Sequence, residues 1–432
     1  MSSIHFGTFD AERYWRPSGL AQLPAVRTGG GTAVATMDEV LAAGCAPGDL
    51  LITRRALPPA VRQSLGEAGI VFDHLAAESV PSPLPRALNE RGVERLMIDN
   101  LALSESAARY NDVQPYAVLP DTVSLLTQWG RASDVPSVDV VARVNSKTWS
   151  NTLARTLGLP GCASVVRSVS ELCSAAQEFG PSVVVKDPYG VSGRGALRVN
   201  SPGVLRAVQR VLSRQEGEGR TVELLVQPEF PKKCDFSGHL QVNRDGMSRF
   251  LGVQVMVNDG FRHLGSGPAG AELTDLLDRH GYRHVLADVG AALADEGYHG
   301  PIGVDSMVLE DNSLVPVLEI NARRSLGLLA LLAGHRVAQT GLACHLWQLE
   351  LTLGADQSVD DVLAALRKAR LLYAGGARPG VLVLGGGSLS EPDGRLYGLS
   401  YCATDDAPLW QHRVTDAVKG AGMKPRGAGD DA

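Results

Sequence analysis

The residues best suited to chemistry begin with a pair of acids in apolar surroundings. Asp305 interrupts the run Ile302-Gly-Val-Asp-Ser-Met-Val308, and a second apolar run ends in Glu319-Ile320-Asn321-Ala322-Arg323-Arg324. A carboxylate in such a place is costly unless a cation or hydrogen-bond donors accompany it. If the two runs form a hairpin turning at Glu310-Asp311-Asn312-Ser313, Asp305 and Glu319 lie on neighbouring strands. Asn321, two residues further on, then falls on the same side as Glu319. Two carboxylates and an amide oxygen make a hard donor set suited to Mg²⁺, with nucleotide phosphates and water completing the octahedron. The plain alternative is that both acids are ion-paired to Arg323 and Arg324.

A cationic counterpart stands upstream. Lys186 ends the β-branched run Ser182-Val-Val-Val-Lys186 and leads into Asp-Pro-Tyr-Gly-Val-Ser-Gly-Arg-Gly195. Glycines let backbone N–H groups come close to phosphate oxygens, and the lysine adds a fixed positive charge. The loop is not a P-loop, because no Gly-Lys-Ser/Thr closes it. By itself it equally suits a glycine-rich surface turn. Lys147 opens a predicted helix 39 residues before Lys186; alone it reads as a solvated lysine. Val226-Gln227-Pro228-Glu229-Phe230, a strand running into an extended linker, can offer backbone groups to an adenine edge.

These residues need elements to hold them. From 1 to about 140, the apolar runs Thr32–Ala35, Asp49–Thr53, Gly69–Phe72 and Arg95–Ile98 mix with helix-like pieces such as Met37–Ala43. That mixture predicts a small α/β unit. No Gly-x-Gly-x-x-Gly follows a strand there, and the proline-rich 81–85 predicts an exposed connection. From about 141 to 345, Asn145 is placed to cap a helix bearing Trp149, Leu153 and Leu157, which Gly158 and Pro160 terminate. A second helix is predicted near Ser170–Phe179, and strands over Ser182–Lys186, Glu223–Val226, Phe250–Val257, Gly303–Leu309 and Leu314–Ile320. From about 346 to 432 come one helix (Val359–Leu372), a strand (Gly380–Leu384) and Gly385-Gly386-Gly387, readable as a strand-ending loop or an anion-binding turn. The tail Lys424–Ala432 is predicted to be disordered.

Composition narrows the class. The formal charge of −6 gives no general attraction to nucleic acid or an anionic membrane, so neither is an expected partner. The longest strongly apolar stretch, Leu326–Ala333, falls short of the ~20 residues a membrane span needs. The N-terminus carries no signal-peptide pattern. The six cysteines, at 45, 162, 173, 234, 344 and 402, form no CxxC or zinc-like spacing. Reduced thiols in a cytoplasmic protein are expected.

Taken in order, the lysine heading a helix that ends in Leu157-Gly-Leu-Pro160, the lysine before the glycine loop, the hinge strand and the acidic strand leading into Glu-x-Asn-x-Arg resemble the ATP-grasp superfamily of ligases. The resemblance covers about 200 residues, roughly half the chain. Gly193-Arg-Gly-Ala-Leu-Arg-Val199 and Gly238-His-Leu-Gln-Val242 are similar to the biotin carboxylase branch. The Met-Lys-Met biotinyl motif is missing, however, and the C-terminal segment differs. The layout, the Tyr110-Asn111 region and the Pro379–Gly387 strand resemble the pheganomycin-type peptide ligases of actinobacterial specialised metabolism.

The resemblance implies an α/β (α+β) ATP-grasp fold. An N-terminal α/β pre-ATP-grasp domain would occupy 1–140 and the core 141–345, with a lid over about 146–226 and a magnesium-binding part over about 227–345. A small C-terminal extension, 346–432, would follow. Lys147 and Lys186 would contact the phosphates of ATP, and the 188–195 loop, with Ser192, Gly193, Arg194 and Gly195, would close over them. Gln227, Glu229 and Phe230 would hold adenine, although the family often has a glutamate where this chain has Gln227. His239 and Gln241 would reach the ribose or phosphates. Asp305, Glu319 and Asn321 would bind Mg²⁺, and Arg323, with Lys186 the catalytic cation, would face the γ-phosphate or the acid. The implied reaction joins a small carboxylate to an amine, amino acid or peptide through an acyl phosphate, with a homodimer among the open assemblies. Arg262, His263 and Ser266, in the segment Asp259–Gly267, and Arg324 are candidate substrate contacts, since basic side chains can hold a carboxylate. For Arg262 and His263 a solvated loop is the alternative. A thiol acceptor on a carrier protein and a non-catalytic nucleotide-binding shell remain competing readings.

Overall fold

The computed structural model describes residues 2–24, 34–80, 88, 90–191, 194–354, 356–387, 389 and 393–426. Its first sheet is parallel, in the order β3-β2-β1-β4, built from β1 (Ser3–Phe6), β2 (Leu50–Thr53), β3 (Asp73–Ala76) and β4 (Asp112–Pro115). β2 is buried along its whole length, as befits a parallel strand covered on both faces. Of the apolar runs singled out in this region, only Asp49–Thr53 is a strand. Arg95–Ile98 belongs to the helix Val93–Ile98. Gly69–Phe72 is the connection before β3: Gly69 turns with φ +80, and Ile70 and Phe72 drop into the core. Val34 and Ala35 are helical, while Thr32 and Ala33 lie outside the described residues, as does 81–85. Apolar content reported burial in these places and not strand geometry.

The second sheet is antiparallel, in the order β5-β8-β6-β7, formed by β5 (Ser164–Val166), β6 (Val183–Val191), β7 (Arg194–Val199) and β8 (Leu224–Pro228). It has its own apolar core, in which Val183, Val185 and Val226 meet Leu172, Val208 and Leu212 from its helices. Ala21 and Leu23 from the N-terminal arm also enter that core. The arm runs beside Thr221, whose backbone bonds both Gly19 and Ala21.

The third sheet holds nine antiparallel strands in the order β13-β12-β9-β10-β11-β14-β16-β15, with β17 on β14. They are β9 (Lys232–Val242), β10 (Ser248–Asp259), β11 (Arg262–Pro268), β12 (Gly300–Leu309), β13 (Leu314–Asn321), β14 (Ala343–Thr352), β15 (Gly380–Val383), β16 (Asp393–Cys402) and β17 (Lys424–Pro425). Side chains alternate along β9. Phe236 and Leu240 meet the helix Tyr282–Asp295, the Phe236 and Tyr282 rings packing edge-on at 5.1 Å. Asp235, Ser237 and His239 take the other face, which the helix Leu326–Val337 partly roofs. The first and third sheets share one apolar core. The tail is more ordered than its composition suggested: Lys424–Pro425 pairs with Leu351 and Thr352, and Arg426 N–H bonds Glu350 O. Residues 427–432 lie outside the described part. Among the described residues no helix is long and apolar enough to cross a membrane.

The glycine triplet does bind an anion, but one supplied by the chain itself. The Glu39 carboxylate, on the 3-10 stretch Met37–Gly44, accepts from Gly386 N–H at 2.7 Å and Gly387 N–H at 2.9 Å. A Cβ on Gly385 would stand 2.1 Å from Glu39 Oε2, so the carboxylate fits only against glycine. Burial first, and Asp38 beside it, push Glu39 up to about 8. A folded-state pKa above the unfolded one contributes stability at low pH that is lost as pH rises towards the folded value. The wild-type melting temperature is therefore expected to fall between pH 5 and pH 8 by about 2–4 °C relative to Glu39→Gln, measured by differential scanning calorimetry. Parallel curves for the two proteins would show that Glu39 does not titrate in this range.

Candidate active site

Ser146 caps the helix Lys147–Thr156, its Oγ accepting from Thr148 N–H, so Lys147 is the first helical residue. Asn145, expected to be the cap, acts otherwise. Its amide bonds both N–H and C=O of Ala322, at 2.9 and 3.3 Å, and Val141 O at 2.8 Å. Ser150 Oγ accepts from Ile320 N–H at 3.1 Å. The helix is thereby stitched to the end of β13. That stitching sets Lys147 Nζ 2.9 Å from Glu319 Oε2 and 2.6 Å from Gly190 O. One lysine thus joins the acidic strand to the glycine loop.

Lys186 lies on β6 opposite Ala196 of β7 and Leu225 of β8. Beyond it the β6–β7 ladder breaks until Val191 meets Arg194. The two strands crowd together here: Gly195 has φ +100, and a Cβ on it would stand 2.7 Å from Gly190 Cα and 3.1 Å from Asp187 Cβ. An alanine at 195 must push the hairpin away from Lys147. Gly195→Ala is expected to raise the KM for ATP about tenfold or more, with little change in melting temperature. An unchanged KM in steady-state kinetics would show that this hairpin does not touch nucleotide.

Asp305 and Glu319 are register partners across β12 and β13. Asn321 Nδ2 donates to Asp305 Oδ2 at 3.0 Å, and Asn321 Oδ1 accepts from Arg323 Nη1 at 2.7 Å. Arg323 Nη2 pairs with Glu12 of the helix Glu12–Trp15, and the guanidinium lies 5.9 Å from the Tyr116 ring, itself stacked on Phe9 at 3.8 Å. Both acids remain partly exposed. Burial, then the neighbouring Glu319, pushes Asp305 up to about 7. Burial works the same way on Glu319, but Lys147 and Lys186 outweigh it and hold that carboxyl below its ordinary value. Burial lowers Lys186, against the attraction of Glu319.

Two adjacent carboxylates competing for a proton suit a divalent cation that would relieve their repulsion. Among the described residues no three of His, Cys, Asp and Glu converge. The oxygen donors that face one another are the two carboxylates, which fit Mg²⁺ completed by phosphate and water; Asn321 turns its amide nitrogen to Asp305 and its oxygen to Arg323, so its side-chain amide would have to turn over to add a third oxygen. The alternative pairing of the acids with Arg323 and Arg324 does not form. Arg323 is bound to Glu12, and the groups that oppose the effect of burial on Arg324 are Asp112, Cys45, Tyr298 and Asp49.

No protein-family model matches the sequence. Butirosin acyl-carrier protein L-glutamate ligase of Niallia circulans is 22% identical over 247 residues, 53% of this chain and 56% of that protein. The chain thus spans about half the length of this relative. The biotin carboxylase domain dimer of Hydrogenobacter thermophilus 2-oxoglutarate carboxylase, solved with MgADP, ADP and bicarbonate, superposes with a TM-score of 0.56 at 13% identity, over 99% of this chain and 90% of that one. Staphylococcus aureus N5-carboxyaminoimidazole synthetase complexed with ADP gives 0.55 at 12% identity, over 93% and 100%. The chain has the ATP-grasp fold.

In this ATP-grasp chain the second sheet carries Lys186, and the third carries Asp305, Glu319 and Asn321. The ATP-grasp residues expected from sequence then divide. Lys147, Lys186, Asp305, Glu319, Asn321 and Arg323 gather in one charged cluster. Gln227 is buried at the end of β8 opposite Val184, and Phe230 is half-buried just beyond it. Glu229 does not present a free carboxylate: it pairs with Arg198 at 2.6 Å and accepts from Ser182 Oγ at 2.5 Å, closing the edge of the second sheet. His239 is fully buried under Gly327, opposite Gly303, and so does not reach an open ribose or phosphate site.

His263 Nε2 and Ser266 Oγ bond each other at 2.8 Å, with Ser266 buried near His239. Arg262 belongs to a different place. It bonds Glu350 at 2.6 Å and Asp259 at 3.3 Å at the β10–β11 turn, four residues or about 13 Å along the strand from Ser266. Gln241 bonds its neighbour's carbonyl, Val242 O. Ser192 and Gly193 lie outside the described residues, and of Arg194 only the backbone, opening β7, is described.

Sequence reasoning missed Glu12 and Arg16. Arg16 pairs with Asp187, next to Lys186, and also bonds Ala21 O. No local signal marks either residue, since their partners lie 311 and 171 positions away. It also missed Gln254, buried beside Ser237.

Proposed function

We propose that the chain is an ATP-dependent carboxylate–amine ligase that works through an acyl phosphate, releasing ADP and phosphate. The observation that carries this reading is the charged cluster in which Lys147, Lys186 and Arg323 meet Asp305, Glu319 and Asn321 within an ATP-grasp fold. Attack of a carboxylate on the γ-phosphate brings anions together, and preorganised cations lower that barrier more than any other contribution the protein makes. Lys147 and Lys186 would hold the phosphates from the side of the second sheet. Arg323, fixed by Glu12 and Asn321, would meet the γ-phosphate or the acid. Magnesium, held by Asp305, Glu319 and Asn321, would neutralise charge on the phosphates. The glycine-containing 188–195 segment would shield the acyl phosphate from water until the amine arrives.

The butirosin relative supports a second reading, in which the acceptor is the thiol of a carrier protein; the ATP site would be the same. Specialised metabolism and a cytoplasmic setting belong to the proposal as well. The test is ADP release against a panel of small carboxylates, with amine, amino-acid or carrier-thiol acceptors, and with hydroxylamine to trap an acyl phosphate as a hydroxamate. ADP, phosphate and a hydroxamate are expected. AMP and pyrophosphate as products would overturn the acyl-phosphate route, and a chain that binds MgATP but turns over nothing in the panel would favour a binding shell.

A further inference from the structure

A single turn of helix, Glu12–Trp15, bonds both sheets that carry the charged cluster. Arg16 ends the turn, donating its backbone N–H to Glu12 O at 3.0 Å. Glu12 and Arg16 are therefore four residues apart on a helical turn, with their side chains on one face. Glu12 holds Arg323, just past the end of β13 in the third sheet. Arg16 holds Asp187 of β6 in the second sheet. The turn is itself fixed: Trp15 is buried, and its indole N–H donates to Val118 O at 2.9 Å. Arg16 Nη2 also bonds Ala21 O at 2.5 Å.

Asp187 follows Lys186 on β6, so the two side chains leave opposite faces of that strand. Lys186 is attracted by Glu319 on one face, and Arg16 grips Asp187 on the other. The Asp187 carboxylate also accepts Tyr189 N–H at 2.9 Å, which shapes the backbone directly after Lys186. Asp187 is 4% exposed, and a carboxylate so enclosed depends on its cation. The ion pair with Arg16 is thus a firm grip on the strand that carries Lys186.

We propose that the turn Glu12–Arg16 is a spacer that fixes Lys186 relative to Arg323, which makes Arg16 a positioning residue for nucleotide binding and turnover. One prong holds Arg323 by its own guanidinium. The other holds Lys186 through the carboxylate next to it. Phosphates gathered by cations from two sheets at once feel any error in the separation of those sheets. The proposal rests on the ligase reading and adds to it a residue outside the charged cluster.

The test titrates the full chain and its variants with MgADP by isothermal calorimetry, beside urea denaturation of the same proteins. Arg16→Ala is expected to raise the Kd for MgADP by about tenfold, and to lower kcat/KM for MgATP by about a hundredfold. Loss of folded protein would lower the number of sites and leave Kd alone, so Kd separates positioning from folding. Asp187→Asn breaks the ion pair without leaving a buried charge unpaired. It should weaken MgADP as much as Arg16→Ala does, while its urea midpoint stays closer to that of the wild type. The double variant should do no more than either single one, because one shared interaction is lost. Arg16→Lys keeps the pair and should recover most of the affinity. A wild-type Kd in Arg16→Ala or Asp187→Asn, or effects that multiply in the double variant, would overturn the spacer. A wild-type chain that binds no MgADP would instead sink the ligase reading on which it rests.

Discussion

Glu319→Gln lowers ADP release by about a thousandfold or more, while the protein still unfolds cooperatively. Glu319 sits where the charges of the cluster meet: Lys147 bonds it, Lys186 attracts it, and Asp305 stands opposite it in register. The amide has nearly the same shape, so packing against the stitched helix Lys147–Thr156 survives. The charge does not. The donor set for magnesium drops from two carboxylates to one, and Lys147 and Lys186 are left repelling each other. Lys186→Ala should be of similar severity, because it takes away one of the two lysines proposed to hold the phosphates without touching the core. Both variants are read by ADP release under the condition that turns over the wild type, alongside circular dichroism. Normal turnover by either variant would remove the cluster from the reaction.

Arg323→Ala is the second large effect, and it has two parts that come apart. Turnover is expected to fall by about a hundredfold to a thousandfold, from the loss of a fixed cation proposed to face the transferred phosphate. Stability is expected to fall as well, by about 3–5 kcal/mol, because Glu12 is left buried and unpaired. Glu12→Gln combined with Arg323→Ala should restore most of the lost stability, since the orphaned charge is gone, yet restore none of the turnover. Chemical denaturation and ADP release on the same four proteins separate the two effects. Recovery of turnover in the double variant would mean that Arg323 only held the fold together.

The site was more legible than the scaffold around it, for a physical reason. A carboxylate inside an apolar strand, or a lysine before closely spaced glycines, is costly unless something charged comes to meet it, and that cost shows in sequence. Asp305, Glu319 and Lys186 were visible on this ground; Asn321 followed from its place two residues past Glu319, and Lys147, alone a solvated lysine, gained a role only through the resemblance. The hairpin joining the acids was readable too, because Asp311 and Asn312 punctuate it and Asn312 takes the left-handed conformation. The strands of the first sheet were not: β1 and β4 are four residues each, too short to show a period. Apolar stretches such as Gly69–Phe72 advertise burial whatever their geometry. Asn145 and Ser146 are both good caps in principle, and only the contact with Ala322 decides between them. Glu229, Arg262 and Arg324 looked available as charged residues; apart from Asp259, three residues before Arg262, their ion-pair or electrostatic partners are distant in sequence.

The N-terminal arm has a mechanical consequence for turnover. Leaving the first sheet, the chain pairs Arg16 with Asp187, runs beside Thr221 and sinks Ala21 and Leu23 into the interior of the second sheet. The unit that carries Lys186 is therefore anchored by a third crossing of the backbone, besides the two that enter and leave it. A swing of that unit away from the magnesium side must either drag the arm along or peel it off its strand. In the ligase proposed above, release of spent nucleotide would then depend on how readily the segment from Arg16 to Leu23 lets go.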